Sequence, residues 1–311
     1  MLRLALSTMW MQKRYASLDE FFDAGRELGF EKFELSHQVG EEMVQVARLP
    51  VGDIQSVHAP CPTNPRTQGA QMSSLDKEER ARAVEAAVQS IRFSEQVGVE
   101  VVAIHAGRVS VNPMLESDLR ALYDRGLKGT DEYEDLEAEL VEERSRHAER
   151  HLDATLWSLE QIANVADSVG VTLCLENRVH YYEIPLPDEL HILLRELAGP
   201  LAFCFDTGHA YVLEQLGFVS HEEWLAGFAE HLRLAHLHDV RVVRERPEPS
   251  QHMVLGTGLQ DHVVPSTGVV DFAEVLHSVP EGAVLTCEFD WYHSAEEVEA
   301  GLTYLRDLGF Q

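Results

Sequence analysis

The sequence has little positive charge. Its 311 residues include 25 lysines and arginines against 53 aspartates and glutamates, which gives a formal net charge of −28. A nucleic acid or an anionic membrane surface would be repelled by this field before contact, so we expect neither as a partner. The composition favours a small-molecule partner. An anionic one is still compatible if a metal ion or a few arginines reverse the charge locally.

Long apolar runs and closely spaced cysteines are also missing. No stretch reaches the roughly 18 apolar residues of a transmembrane helix, and the first residues lack the apolar core and cleavage site of a signal peptide. We therefore expect a cytoplasmic protein. Cys61, Cys174, Cys204 and Cys287 form no Cys-x-x-Cys motif and three of them lie in apolar runs, which predicts reduced thiols in the core.

Short apolar runs alternate with longer amphipathic stretches eight times along the chain. This alternation is typical of βα units around a parallel sheet, whose strands are covered on both faces. The predicted strands are residues 2–7, 32–35, 55–59, 101–106, 171–176, 202–206, 232–236 and 284–289. The clearest predicted helices are residues 18–28, 76–97, 186–197, 222–231 and 295–308.

Eight such units in 311 residues predict an α/β fold, a (β/α)₈ TIM barrel, as one domain over residues 1–311. An open doubly wound sheet is disfavoured because no Gly-x-Gly-x-x-Gly follows the first strand. Two regions exceed a minimal barrel. A long acidic stretch in residues 109–150 predicts an extended helix after strand 4. Residues 239–270, rich in Pro, Gly and His, predict a long loop after strand 7, typical of a lid or a disordered excursion.

The third to eighth predicted strands each end in a residue type that binds metal ions. These residues are His58, His105, Glu176, Asp206, His236 and Glu288. A TIM barrel carries its active site at this end of its strands. Ordinary polar strand ends are the alternative, but an unpaired buried carboxylate is costly, whereas converging carboxylates and imidazoles are neutralised by a divalent cation. We therefore expect a metal site at the barrel mouth.

These strand ends, with the segments DTGHA and AHLHDVR, resemble the xylose-isomerase-like TIM-barrel superfamily, which includes sugar phosphate isomerases and epimerases and endonuclease IV. The similarity extends from the first strand to the last helix and does not select a member. The resemblance implies a metal site of Glu176, Asp206, His236 and Glu288. It also implies that, in an epimerase-like member, Glu176 and Glu288 act as acid and base across the sugar.

The first hypothesis is a divalent-metal-dependent isomerase or epimerase of a sugar or sugar phosphate. Manganese, magnesium or zinc would polarise a carbonyl and its neighbouring hydroxyl, which stabilises the enediolate formed when a carboxylate removes the intervening proton. A second carboxylate would return the proton on the other face. The expected partner is a small-molecule carbohydrate, and a homo-oligomer is compatible with the sequence.

The second hypothesis is a zinc phosphodiesterase, because His58 and His105 match two endonuclease IV histidines that bind a second zinc ion with a bridging glutamate equivalent to Glu176. DNA is disfavoured by the negative charge, so a small-molecule phosphodiester is preferred to abasic DNA. A catalytically inert barrel is the third hypothesis, and it would predict a broken ligand set. The principal set here is intact.

A third metal site is implied only in part. His209 matches one of its ligands, or serves as a hydrogen-bond partner of a neighbouring carboxylate. The expected Asp-x-His after strand 7 is replaced by the adjacent Asp261 and His262, with His252 as a competing match. We expect His238 to be a loop residue whose ring nitrogens form ordinary hydrogen bonds within the protein.

Arginines follow several of the ligand-bearing strands, and arginine suits bidentate recognition of phosphate or carboxylate. Those predicted to contact the substrate are Arg108, Arg178 and Arg241. Salt bridges to the abundant acids explain any one of them equally well. No role is expected for the remaining helical or surface histidines, which are His37, His147, His151 and His221.

Overall fold

Eight parallel strands close into a barrel in the computed structural model, which describes residues 4–197, 199–243 and 258–310. The barrel strands are β1 (Leu4–Ser7), β2 (Lys32–Leu35), β3 (Ile54–His58), β4 (Val101–Ile104), β6 (Thr172–Glu176), β8 (Leu201–Asp206), β9 (Leu232–Leu237) and β12 (Val284–Cys287). Strand β1 pairs with both β2 and β12, which closes the barrel. The predicted TIM barrel is confirmed, and each predicted apolar run overlaps one barrel strand.

Helices surround the barrel. They are α1 (Leu18–Glu27), α2 (Glu41–Val46), α3 (Lys77–Val97), α4 (Pro113–Asp124), α5 (Asp131–Val169), α6 (Pro187–Glu196), α7 (Thr207–Leu216), α8 (His221–Phe228), α9 (Phe272–Ser278) and α10 (Ala295–Leu308). Local sequence sets their ends. The Asp76 side chain accepts the first free N–H groups of α3, and Gly98, at φ 71°, ends that helix in the left-handed conformation that glycine adopts most easily.

The acidic stretch forms the first half of α5, a single helix of 39 residues that runs on to β6. The prediction of a long acidic helix is therefore confirmed, but α5 follows a separate helix, α4, instead of extending it. The buried Arg144 of α5 donates hydrogen bonds to the carbonyls of Tyr181 and Glu183 and to Glu189 Oε2. These bonds tie α5 to the segment after β6, which borders the barrel mouth.

The connection after the seventh barrel strand contains two short strands. Strands β10 (Asp239–Val242) and β11 (Leu259–Val263) pair antiparallel. The predicted long loop was therefore wrong for these two segments, which form a two-stranded ribbon. In β11 fully buried and partly buried side chains alternate, as expected for a strand. Asp239 accepts hydrogen bonds from the backbone of Gly268 and Val270, which joins this ribbon to the chain that follows it. A short pair, β5 (Gly107–Arg108) with β7 (Glu183–Ile184), lies on the other side of the mouth.

The largest apolar cluster packs strands against helices, and a separate small cluster is formed on four neighbouring barrel strands by Ala103, Cys174, Ala202, Cys204 and Leu234. Cys61, Cys174, Cys204 and Cys287 are all free and fully buried, as expected from their apolar surroundings. None of the described helices is both long and apolar enough to cross a membrane.

Candidate metal centre

His236 stands among three carboxylates at the C-terminal ends of the barrel strands. Its Nδ1 lies 3.7 Å from Glu176 Oε2, 3.9 Å from Asp206 Oδ2 and 3.2 Å from Glu288 Oε2. Strand register produces this convergence, because Asp206 of β8 pairs with His236 of β9, and β12 leads into Glu288 on the other side. These four residues, all buried, form the candidate metal centre.

The two ring nitrogens of His236 have different surroundings. Nε2 lies 3.1 Å from Oε2 of Glu34, a buried residue of β2 that also accepts the Ser56 hydroxyl. Nδ1 is buried and has no hydrogen-bond partner. When Nε2–H donates to Glu34, the lone pair of Nδ1 faces the three carboxylates, an arrangement that a cation bound between them would satisfy. The donor set therefore fits a divalent metal ion.

The electrostatic potential around His236 is strongly negative. Burial lowers the pKa of its imidazole, yet Cys204, Glu288 and Glu34 together raise that pKa well above its ordinary value. This potential attracts positive charge.

Glu176 occupies a bridging position. Its Oε2 lies 3.1 Å from Nε2 of both His58 and His105, and its Oε1 lies 2.6 Å from Arg178 Nη1 and 3.1 Å from His209 Nδ1. Burial raises the pKa of the Glu176 carboxyl, but Arg178 and His105 lower it more, so the net pKa lies well below its usual range. Glu176 is thus held ionised, with both oxygens engaged.

Asp206 is fixed by Asn177, which the sequence reasoning missed. The Asn177 amide donates to the Asp206 carbonyl at 2.9 Å and accepts the Asp206 N–H at 2.7 Å. Asp206 in turn accepts the N–H of His209 at the start of α7. The available signal was position alone, since Asn177 directly follows Glu176 in the chain.

A second histidine group adjoins Asp206. His209, His238 and His262 bring ring nitrogens within 4.8 Å of one another. His238 Nε2 lies 2.8 Å from Asp206 Oδ1, while its Nδ1 accepts the N–H of His262, so both ring nitrogens are satisfied. The reading of His238 as a satisfied residue therefore agrees with these contacts, but its place beside the metal centre was not expected.

The predicted third-site residues separate in the structure. His262 joins this group, whereas Asp261 is buried with its carboxylate 4.0 Å from the His262 ring. His252 lies outside the described residues. Gly208 explains part of the DTGHA motif, because a Cβ at that position would come within 2.1 Å of His238 Cε1.

The three arginines predicted to contact the substrate take different positions. Arg178 is held by Glu176 and, at 3.4 Å, by Glu183, so protein carboxylates already engage it. Arg108 is exposed on β5 and Arg241 is half-buried on β10. The substrate contacts of Arg108 and Arg241 stay predictions.

The histidines without an expected role also differ. His37 follows β2, and its ring centre lies 6.1 Å from that of His58, beside the metal centre and not in a helix. Burial and the neighbouring His58 lower the pKa of His37 to about 4. His147 is exposed on α5, as predicted, whereas His151 is buried there and His221 pairs with carboxylates.

Comparison with known proteins agrees with this architecture. A family model described as a xylose isomerase-like TIM barrel matches residues 22–308. No curated protein matches the chain significantly. Similar solved structures include a D-tagatose 3-epimerase-like protein, with 16% identity and a TM-score of 0.63, covering 99% of this chain and 97% of that one. The 3-keto-D-glucoside 4-epimerase YcjR from E. coli has 13% identity and a TM-score of 0.65, with coverage of 99% and 100%. The IOLI protein with a bound zinc atom has 12% identity and a TM-score of 0.65, with coverage of 99% and 98%.

Proposed function

The chain belongs to the xylose isomerase-like TIM-barrel family, and from this premise we propose that it is a divalent-metal-dependent isomerase or epimerase of a sugar or sugar phosphate. The observation that carries the proposal is the unpartnered Nδ1 of His236, which faces Glu176, Asp206 and Glu288. The epimerase names of two similar structures support a carbohydrate substrate, and the zinc atom of the IOLI protein supports a metal.

Glu288 is the carboxylate that we assign to proton removal. A divalent cation at this centre would polarise a substrate carbonyl and the adjacent hydroxyl, which acidifies the C–H between them. Among the described residues, the side-chain contact of the Glu288 carboxylate is His236, 3.2 Å away, so one oxygen is left for the substrate. Glu176 is engaged by four side chains and would accept or return a proton only after exchanging one of those bonds. We assign Arg178 to holding Glu176 in place.

Replacement of Glu288 tests this assignment. We use a ketose or ketose phosphate that the unmodified protein converts. Glu288→Gln should reduce kcat for this substrate by about 10²- to 10⁴-fold, the usual contribution of a general base. The matched control is Glu281→Gln, an exposed glutamate on the loop before β12. Bound metal is measured in both variants to separate proton transfer from ligand loss. Turnover within threefold of the unmodified protein would refute the role of Glu288.

A zinc phosphodiesterase is the second candidate, and one observation favours it. The Nε2 atoms of His58 and His105 approach the same oxygen of Glu176, which suits a second cation bridged by that carboxylate. Two adjacent metals would clamp the attacking and leaving oxygens of a phosphodiester. The charge of −28 favours a small-molecule phosphodiester over DNA.

Metal stoichiometry distinguishes the two candidates. Elemental analysis is made on protein purified without added metal, and hydrolysis of bis(p-nitrophenyl) phosphate is measured on the same sample. One manganese, magnesium or zinc ion per chain without hydrolysis supports the isomerase. Two or more zinc ions per chain together with hydrolysis would overturn the isomerase proposal and support the phosphodiesterase.

A further inference from the structure

A cavity of about 220 Å³ lies against His105. Its polar lining comes from Thr67, Gln71, His105 and Glu183, and the rest of its wall is alanine, glycine and other small or apolar residues. His105 contacts Glu176 and Glu183 contacts Arg178, so two residues of the cavity wall also contact the group around Glu176.

His105 is the exposed member of the group around Glu176. Its side chain is 37% exposed, whereas those of His58, His209 and His236 are 3%, 4% and 0% exposed. His105 also lines the cavity, so one side of its ring faces the cavity and the other contacts the buried Glu176. A molecule bound at the metal centre would reach the cavity at His105, the residue that contacts both.

The wall formed by α3 is built from small side chains. Ala83, Ala86 and Ala87 follow a helical spacing that places them on one face, and all three line the cavity. Ala59 and Ala70 line it from the segment that follows β3. Larger side chains at these positions would fill the space. A cavity of about 150 Å³ with apolar walls is known to bind benzene, so this volume suits a group of one ring.

We propose that this cavity is a subsite for a compact apolar substituent of the substrate, of the size of a short alkyl chain or a single ring. The inference rests on the proposed function, since it places the reacting carbon at the metal centre. It narrows the substrate class to a carbohydrate that carries such a substituent. Transfer of the substituent from water to the alanine wall would supply binding energy remote from the reacting carbon.

The test measures binding of benzyl alcohol by ligand-observed NMR, together with amide shift changes in the protein. The variant Ala86→Leu fills the cavity, and Ala81→Leu, on the exposed side of the same helix, is the matched control. Ala83→Leu is a second filling variant, used if Ala86→Leu loses its circular dichroism spectrum. Benzyl alcohol binding needs neither metal nor turnover, so failure of the proposed reaction leaves this test valid.

The expected result is equal binding by the unmodified protein and Ala81→Leu, with shift changes at Gly69 and His105, and at least tenfold weaker binding by a folded filling variant. Undiminished binding by that variant would place the probe elsewhere and overturn the proposal. Failure of the unmodified protein to bind would overturn it as well.

Discussion

Glu34 of β2 is not one of the candidate metal ligands, but it contacts one of them, His236, inside the barrel. Its Oε2 accepts from Ser56 and from His236, while its Oε1 is buried without a hydrogen-bond partner. Burial raises the pKa of this carboxyl, but the neighbouring His236 and His58 lower it more, so the net pKa is below its usual value. The ionised Glu34 therefore fixes the His236 proton on Nε2 and leaves Nδ1 as a ligand.

Glu34→Gln should weaken metal binding by about 10- to 100-fold, because an uncharged amide oxygen accepts from Nε2–H less strongly than a carboxylate and no longer holds the imidazole proton firmly on Nε2. Calorimetric titration with manganese and zinc measures the affinity. Ser56→Ala is the control, since it removes the other bond of Glu34 but leaves the acceptor for His236. Unchanged affinity in Glu34→Gln would show that Glu34 does not set the tautomer.

The sequence identified candidate ligands but not the residues that support them. Six strand-end residues were selected because parallel strands in a barrel end at one mouth, and the resemblance to the xylose-isomerase-like superfamily implied the set of Glu176, Asp206, His236 and Glu288. The structure brings these four side chains together, and their binding of a metal ion stays a prediction. Glu34 and Asn177 were missed for a physical reason. Their contacts with His236 and Asp206 cross between strands, and periodicity within one strand does not report which side chain lies opposite.

Three helices outside the barrel, α7, α8 and α9, are joined by the imidazole of His221. His221 begins α8, and its ring contacts Glu214 of α7 and, at 3.0 Å, Glu274 of α9. Tyr211 stacks on this ring at 4.3 Å between centres. Burial lowers the pKa of His221, but the hydrogen bonds to both glutamates raise it above the ordinary value.

His221→Gln should lower the free energy of unfolding by about 1 kcal/mol near pH 6 and by less near pH 9. The folded pKa of His221 is raised, so its stabilisation is complete below the unfolded pKa of about 6.5 and disappears as pH rises through the folded value. Thermal unfolding is measured between pH 5.5 and 9, with His147→Gln on α5 as the control. An equal loss at all pH values would indicate lost packing instead of lost charge.

The helices with local caps and the eight apolar barrel strands were predicted closely, whereas the short strand pairs β5 with β7 and β10 with β11 were not. Helix α3 follows from its Asp76 cap and Gly98 stop, both within its own sequence. The ribbon of β10 and β11 depends on pairing across the intervening residues, which a single short segment does not encode.

The carboxylates of the protein include two groups, one buried at the barrel mouth and one exposed on the helices. Buried carboxylates at the mouth face arginine and histidine partners, while exposed glutamates and aspartates cover helices such as α5. The surface charges repel one another, and this repulsion opposes the compact state.

Raising sodium chloride from about 20 mM to 300 mM should therefore raise Tm by a few degrees at pH 7.5, because salt shortens the range of surface repulsion. Differential scanning calorimetry measures the change. Sodium sulfate at matched ionic strength is the comparison, since sulfate also stabilises by exclusion from the surface. A rise with sulfate alone would contradict the repulsion argument.

The four buried thiols give the barrel a set of built-in reporters. Cys61 follows β3, and Cys174, Cys204 and Cys287 lie on β6, β8 and β12, all at 0% exposure. A thiol reagent reaches each sulfur only when its own sector opens, so the rate of each modification measures a local opening free energy. The order in which the four cysteines react would reveal which sector of the barrel opens first, without any cysteine being introduced by mutation.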